Sequence, residues 1–432
     1  MIPLQKNKPD IQCYLLNGKF TEKNLDNFES IIDQFDVESL YNMPVEAIIK
    51  ILSALGKELI KNKALLTKEG IYYLATWLRE SNLNNYISIN CKDKTYLDDF
   101  KNIEKDIFIR AQPRGLVCHW IAGNVPTLAV LSLIQSIIAK NTNIVRVPKE
   151  VVKEVVEILK PLQNVSINYK GKNYSGGNIL KSFSIIYFPS ENLELNKQFS
   201  LLADCKVIWG GKDAVASILK LPQREHCENI VFGPKYSFSV VDEKSVAKQP
   251  DLLKKMIMDI ILFQQNACSS SHVIFYELKD RKKIKDFTIN LGESFEEVSR
   301  KYPKPKDTSF SDILNIRGKY LLDPDKDVES SKELDWTILS DNELRLEEPI
   351  KSRTVFVKPI DSALDVIPLI TPKIQTIGLA ISDQNKLKNF CEKATFKGVS
   401  RCVPVGSMND YDTPWDGLLF IDRLVRWTLM RR

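Results

Sequence analysis

The sequence holds only three histidines, His119, His226 and His272, and no H-E-x-x-H pair, so no metal site is expected. None of its eight cysteines forms a C-x-x-C pair. A chain of 432 residues needs no disulfide staples, so reduced thiols and a cytoplasmic location are expected. Long apolar runs are missing. The longest, Val125 to Ala139, is interrupted by Thr127, Ser132, Gln135 and Ser136, and falls short of the about 20 residues of a membrane span. The opening residues Met1 to Lys8 show no signal-peptide pattern. There is no G-x-G-x-x-G, and the near-match Gly171 to Gly176 is followed by Gly177 where a phosphate loop needs Lys. Charge of one sign is scarce too: Lys+Arg is 61 against Asp+Glu 55, a net +6. That excess is too diffuse for a nucleic-acid binder. The run Lys279-Asp280-Arg281-Lys282-Lys283 reads as a solvated helix face.

What is present is the composition of a globular protein, 44% hydrophobic and 27% charged, with two or three domains suggested by length. Residues 1–112 read as mostly helical, with helical spacing over Asp36 to Lys57 and Thr67 to Leu83. From Arg114 short strands alternate with helices. Strands are expected at Leu116 to Trp120, Asn143 to Val147, Phe183 to Phe188 and Lys206 to Trp209, with helices between them and at Lys212 to Leu219. This alternation predicts a parallel sheet covered by helices. The rhythm shifts near Phe232, the candidate domain boundary. A helix over Asp251 to Gln264, a strand at His272 to Tyr276, a charged helix at Leu278 to Glu297, a loop at Lys301 to Asp307 and strands at Thr354 to Val357 and Ile377 to Ile381 follow. The expected division is 1–112, 113–236, 237–400 and 401–432.

Four segments could carry chemistry. Cys268 lies in Gln264-Gln265-Asn266-Ala267-Cys268-Ser269-Ser270-Ser271, a small polar loop between a helix and a strand. There a thiolate could act as nucleophile, or the side chain could simply fill space as a small hydrophobe. Asn124, in His119-Trp120-Ile121-Ala122-Gly123-Asn124-Val125-Pro126, follows a strand. Its amide could donate to a developing oxyanion or cap the next helix. Trp209-Gly210-Gly211-Lys212 is either a cofactor-phosphate turn or a tight strand-to-helix connection. Arg146 and Lys149, in Arg146-Val147-Pro148-Lys149-Glu150, could hold a ribose phosphate or decorate an exposed helix start. His119 reads as a packed strand residue.

Together with Phe232-Gly233-Pro234-Lys235-Tyr236-Ser237, Pro414-Trp415-Asp416-Gly417 and Val425-Arg426-Trp427, these segments resemble, in order, the aldehyde dehydrogenase superfamily. More narrowly they resemble its LuxC-type acyl-CoA reductase branch. The resemblance covers Arg114 to the C-terminus and is weak between about Glu297 and Asp341. It implies an α/β fold: a Rossmann-like cofactor domain over 113–236, an α/β catalytic domain over 237–400 holding Cys268, and a small oligomerisation segment over 401–432. The helical region 1–112 would pack on the cofactor domain.

By the same resemblance Cys268 is the catalytic thiol and Asn124 helps form the oxyanion hole. Trp209, Gly210 and Gly211 lie at the cofactor pyrophosphate. Glu348, in Glu347-Glu348-Pro349-Ile350, holds the nicotinamide ribose. Val231 stands where hydrolytic members carry a general-base Glu, so an acyl-enzyme should hydrolyse slowly. Arg146 and Lys149 replace the usual adenosine-ribose residues and favour NADPH, with NADH as the alternative. The reaction that the resemblance implies is reduction of a fatty acyl thioester to an aldehyde. The acyl group would arrive on coenzyme A or on a protein, with an acyl-protein synthetase as candidate partner and self-association expected. The rival readings are a cysteine acyltransferase or thioesterase without redox chemistry, and a silent binding protein of the same fold.

Overall fold

The computed structural model describes residues 11–305 and 310–432. The opening residues Met1 to Lys8, and Lys306 and Asp307 of the expected loop, lie outside the described residues. The chain forms two compact units: residues up to Gly233 together with Tyr411–Arg432, and Pro234–Asp410.

The first unit is built on a seven-stranded sheet. Its order is Glu228–Phe232, Cys205–Trp209, Leu116–Trp120, Thr142–Arg146, Phe183–Tyr187, Ile11–Leu16 and Lys19–Leu25. The first five run parallel. Their central members are buried almost throughout, which is why they read as continuous apolar runs. The helix Pro126–Ile138 starts with proline in its first turn, where the missing N–H costs nothing. One face of the sheet packs Trp120, Phe188, Phe199 and Ile208 into a shared core.

Residues 1–112 are less helical than their spacing predicts. Ile11–Leu16 and Lys19–Leu25 form a hairpin that extends the sheet antiparallel to Phe183–Tyr187. Its turn is Asn17-Gly18, both at positive φ (47° and 71°), the dipeptide that two-residue hairpins favour. The helix expected over Asp36 to Lys57 is broken at Pro44 into Val37–Tyr41 and Val45–Lys61, because proline cannot donate inside a helix. Lys101–Glu104, Ile107–Pro113 and Val425–Arg431 make a separate antiparallel sheet.

The second unit carries its own seven-stranded sheet. The order is Asp327–Ser330, Thr337–Ser340, Thr354–Ile360, Ser271–Glu277, Tyr236–Asp242, Ile374–Ala380 and Arg401–Pro404. Only the Asp327–Ser330 edge is antiparallel. Helices Leu252–Ile261 and Ile284–Lys301 bury Met256, Ile260, Leu291 and Phe295 against one face. Among the described residues no helix is long and apolar enough to cross a membrane.

Candidate active site

Cys268 sits on the loop that enters the strand Ser271–Glu277, at the amino end of the second sheet. It is half-buried, whereas five other cysteines are fully buried. Burial pushes the seven other thiols above their ordinary value, Cys13 to about 11 and Cys91 to about 12, so they stay protonated and inert near neutrality.

The loop is fastened from three sides. Ser237 Oγ donates to the main-chain oxygen of Cys268 at 2.7 Å and accepts from Thr376 N at 3.0 Å. Ser269 Oγ donates to Asn409 Oδ1 at 2.7 Å. Gln265 Nε2 donates to the Ser271 and Thr354 carbonyls at 2.9 and 3.0 Å, while its Oε1 accepts from Thr354 N at 3.0 Å.

The approach to this loop is strained. Phe263, Gln264 and Gln265 all have positive φ, as do Lys351, Ser352 and Arg353. Non-glycine residues rarely occupy that region, and consecutive ones persist only where the surroundings over-determine them. Here the two turns hold each other: Ser352 N donates to Gln264 O at 3.1 Å, and the buried Arg353 donates through Nε to Gln264 Oε1 at 2.9 Å. The second turn ends the segment that carries Glu348, so Cys268 and Glu348 lie on two laced segments of one unit.

Glu348 is exposed. Burial, and then the charge of Glu348, raise the hydroxyl of Tyr236. Its neighbour Glu347 is anchored: Lys358 Nζ, fully buried, donates to Glu347 Oε1 at 2.6 Å and to both oxygens of Asp341 at 2.6 and 2.7 Å. Tyr320 donates to Asp341 Oδ2 at 2.6 Å. His272, four positions beyond Cys268, is buried and held at about 4, by burial first and then by Lys351, so it is neutral at physiological pH.

The first unit gathers the remaining candidates. Trp120 is paired with Arg146, and Ile208 with Trp120, at the carboxyl ends of adjacent parallel strands. The loops leaving those ends carry Asn124, Lys149, and Gly210 with Gly211. The chain steps outward from Leu116–Trp120 in both directions, through Thr142–Arg146 on one side and Cys205–Trp209 on the other. That is a topological switch point, where open α/β sheets bind ligands.

Asn124 is exposed, and the N-cap of the following helix is Val125, with no side-chain capping bond. A side-chain carbon at Gly211 would meet no atom within 4 Å. The helix Lys212–Leu219 that begins there also has no side chain capping its first amides. The turn is open, and its donors suit a phosphate.

Arg146 is mostly committed elsewhere: Nε and Nη2 donate to Phe188 O at 3.3 and 2.9 Å. Lys149 is exposed. The Trp209 ring lies in the core, stacked on Phe232 at 3.7 Å, with its N–H on Ser132 Oγ at 3.1 Å. His119 is fully buried between Ser132 Oγ and Asn143 Oδ1, at 2.9 and 3.0 Å, and burial lowers it to about 4. It is a packed strand residue. Sequence reasoning assigned no role to Ser237 and Gln265, although both lie in the quoted segments, because their bonds reach strands distant in sequence; Arg353 and Asn409 lie in no motif and were missed.

The acyl-CoA reductase (LuxC) family model matches residues 40–427. The chain is 28% identical over 344 residues to a long-chain acyl-protein thioester reductase of Vibrio harveyi, covering 78% of this chain and 69% of that protein. It is 23% identical over 426 residues to one of Aliivibrio fischeri, covering 93% and 86%. Among solved structures, a Mycobacterium tuberculosis aldehyde dehydrogenase complexed with NAD+ superposes with a TM-score of 0.64 at 11% identity, over 98% of this chain and 95% of that one. The fold is that of the aldehyde dehydrogenases.

Proposed function

This chain belongs to the acyl-CoA reductase (LuxC) family, and from that premise we propose that it reduces an acyl thioester to an aldehyde, with NADPH, through an acyl-enzyme on Cys268. The observation that carries the proposal is the half-exposed Cys268 on a loop fastened by Ser237, Gln265 and Asn409, while burial holds every other thiol protonated. The two relatives above are named for long-chain acyl-protein thioesters. A fatty acyl group on a protein or on coenzyme A is accordingly the proposed substrate.

The Cys268 thiolate attacks the thioester carbonyl. The carrier leaves as a thiolate that takes its proton from solvent, and the acyl group remains on the Cys268 sulfur. Asn124 Nδ2 and the Cys268 amide are the proposed donors to the oxyanion of each tetrahedral species. When bound, the nicotinamide cofactor supplies the hydride that turns the enzyme thioester into aldehyde and free thiolate. Gly210, Gly211 and the first amides of Lys212–Leu219 would hold its pyrophosphate, Glu348 its nicotinamide ribose, and Lys149 with the remaining Arg146 donors its 2′-phosphate. The residue before Phe232 is Val231, which has no group to activate water, so the acyl-enzyme survives until it is reduced.

Purified protein given a panel of acyl-CoA chain lengths should oxidise NADPH and release aldehyde, and Cys268→Ala should abolish this. Full activity in the alanine variant overturns the proposal. Thiol release without cofactor oxidation would favour the acyltransferase reading.

A further inference from the structure

The first unit contains a pocket of about 560 Å3 that none of the residues assigned above lines. That volume suits a small molecule, and the lining is strongly cationic. Lys94 is paired with Glu46, and Lys140 Nζ with Asp98 Oδ1 at 2.6 Å. Subtracting those two pairs from the five lining cations Lys94, Lys101, Arg110, Lys140 and Lys170 leaves three. For Lys101, Arg110 and Lys170 no carboxylate lies within ion-pair distance among the described residues.

Two further features mark the pocket as built. Arg110 Nε is buried without a hydrogen-bond partner, and the guanidinium is held over the Tyr41 ring at 5.1 Å. An orphaned buried donor of this kind calls for an acceptor. In addition, two of the lining lysines occupy left-handed backbone. Lys140 has φ 62° directly after the helix that ends at Ile138 and its cap Ala139, a place where glycine is usual. It is only 4% exposed, and besides Asp98 it donates to Tyr41 O at 3.1 Å. Its third N–H has no protein acceptor among the described residues. Lys170 has φ 51° in the turn with Gly171, between Ser166–Tyr169 and Lys172–Ser175, where asparagine is favoured. Both turns place a lysine on the wall of one cavity.

We propose that this pocket binds a small phosphorylated ligand, with Arg110, Lys101 and Lys170 paired to its phosphate oxygens and Lys140 donating from below. A carboxylate would offset one of the three uncompensated charges. A phosphate ester or pyrophosphate offsets two or more, and its oxygens match the planar fork of arginine.

The test is calorimetric titration of the full chain with inorganic pyrophosphate, run with and without saturating NADPH so that binding at the cofactor turn is separated. One saturable site that persists with NADPH is expected. Lys101→Gln/Arg110→Gln should weaken it at least tenfold, and acetate at equal ionic strength should give no saturable heat. Absence of that site, or wild-type affinity in the double variant, overturns the proposal. Should the double variant fail to fold by circular dichroism, the single variants Lys101→Gln and Lys170→Gln decide. Their side chains lie outside the core, and unchanged affinity in both is equally fatal.

Discussion

Ser269 donates its hydroxyl to Asn409 Oδ1 at 2.7 Å across 140 positions of sequence, which ties the residue after Cys268 to the far end of the same unit. Asn409 Nδ2 in turn donates to the main-chain oxygen of Asp259 at 3.3 Å, and the Asp259 carboxylate accepts from Gly406 N and Met408 N at 2.5 and 3.1 Å. The turn that holds the cysteine loop is thus itself held. Asn409→Ala should slow acyl-enzyme formation by about 10- to 100-fold, the scale of a misplaced reacting group, and leave NADPH affinity unchanged. Single-turnover thiol release and cofactor fluorescence separate the two effects. Equal losses in both would show general unfolding.

Asp259 also carries a pH dependence. Burial raises its carboxyl to about 7, outweighing the two amide donors and the smaller pull of Arg401. Between about pH 4 and 7 the unfolded chain is ionised here while the folded chain is largely protonated, so folding takes up a proton. The stabilisation from this group is therefore complete below the unfolded value of 3.8 and is lost as pH rises through about 7. Asp259→Asn should remove up to roughly 1.4 kcal/mol of slope per pH unit across that window. Urea unfolding at pH 5, 6 and 7 measures the slope, and identical pH profiles in both proteins would refute the assignment.

Lys358 balances two carboxylates in a buried position. Asp341 keeps its carboxyl below the usual range despite burial, because the side-chain bonds from Lys358 and Tyr320 outweigh desolvation. Lys358→Met fills the same volume but leaves the buried Asp341 without its cation, while Glu347 keeps Arg345 Nε at 2.7 Å. A loss of about 3–5 kcal/mol is expected, as for breaking a buried pair on one side. Denaturant titration reads it directly. A loss below 1 kcal/mol would mean that Asp341 finds water or another cation.

Asn124 is exposed, so its replacement should cost little stability. If its amide serves the oxyanion, Asn124→Ala lowers the rate by about 10²- to 10³-fold with an unchanged melting temperature. An unchanged rate would return Asn124 to a purely local role.

Much of the chain was legible before folding. The central strands of the first sheet announce themselves as short apolar runs, since both faces are covered, and Lys212–Leu219 falls where its periodicity places it. The hairpin Ile11–Leu16 to Lys19–Leu25 was hidden behind the helical reading of residues 1–112, although Asn17-Gly18 marked its turn. Cys268 and Asn124 stood out because small, polar, strand-flanking loops are local features. What gives Cys268 its rigid loop was not local. Ser237, Gln265, Arg353 and Asn409 reach it through hydrogen bonds that close only when distant strands align, and the paired left-handed turns at 263–265 and 351–353 are stable only against each other. Sequence alone determined the alternating architecture and marked Cys268 as the candidate thiol, because periodicity and loop chemistry are written in neighbouring residues. The tertiary structure decided which groups hold that thiol, which buried charges balance, and that Lys140 and Lys170 meet Arg110 around one cavity, because hydrogen bonds and Coulomb forces act over ångströms of space and ignore separation along the chain.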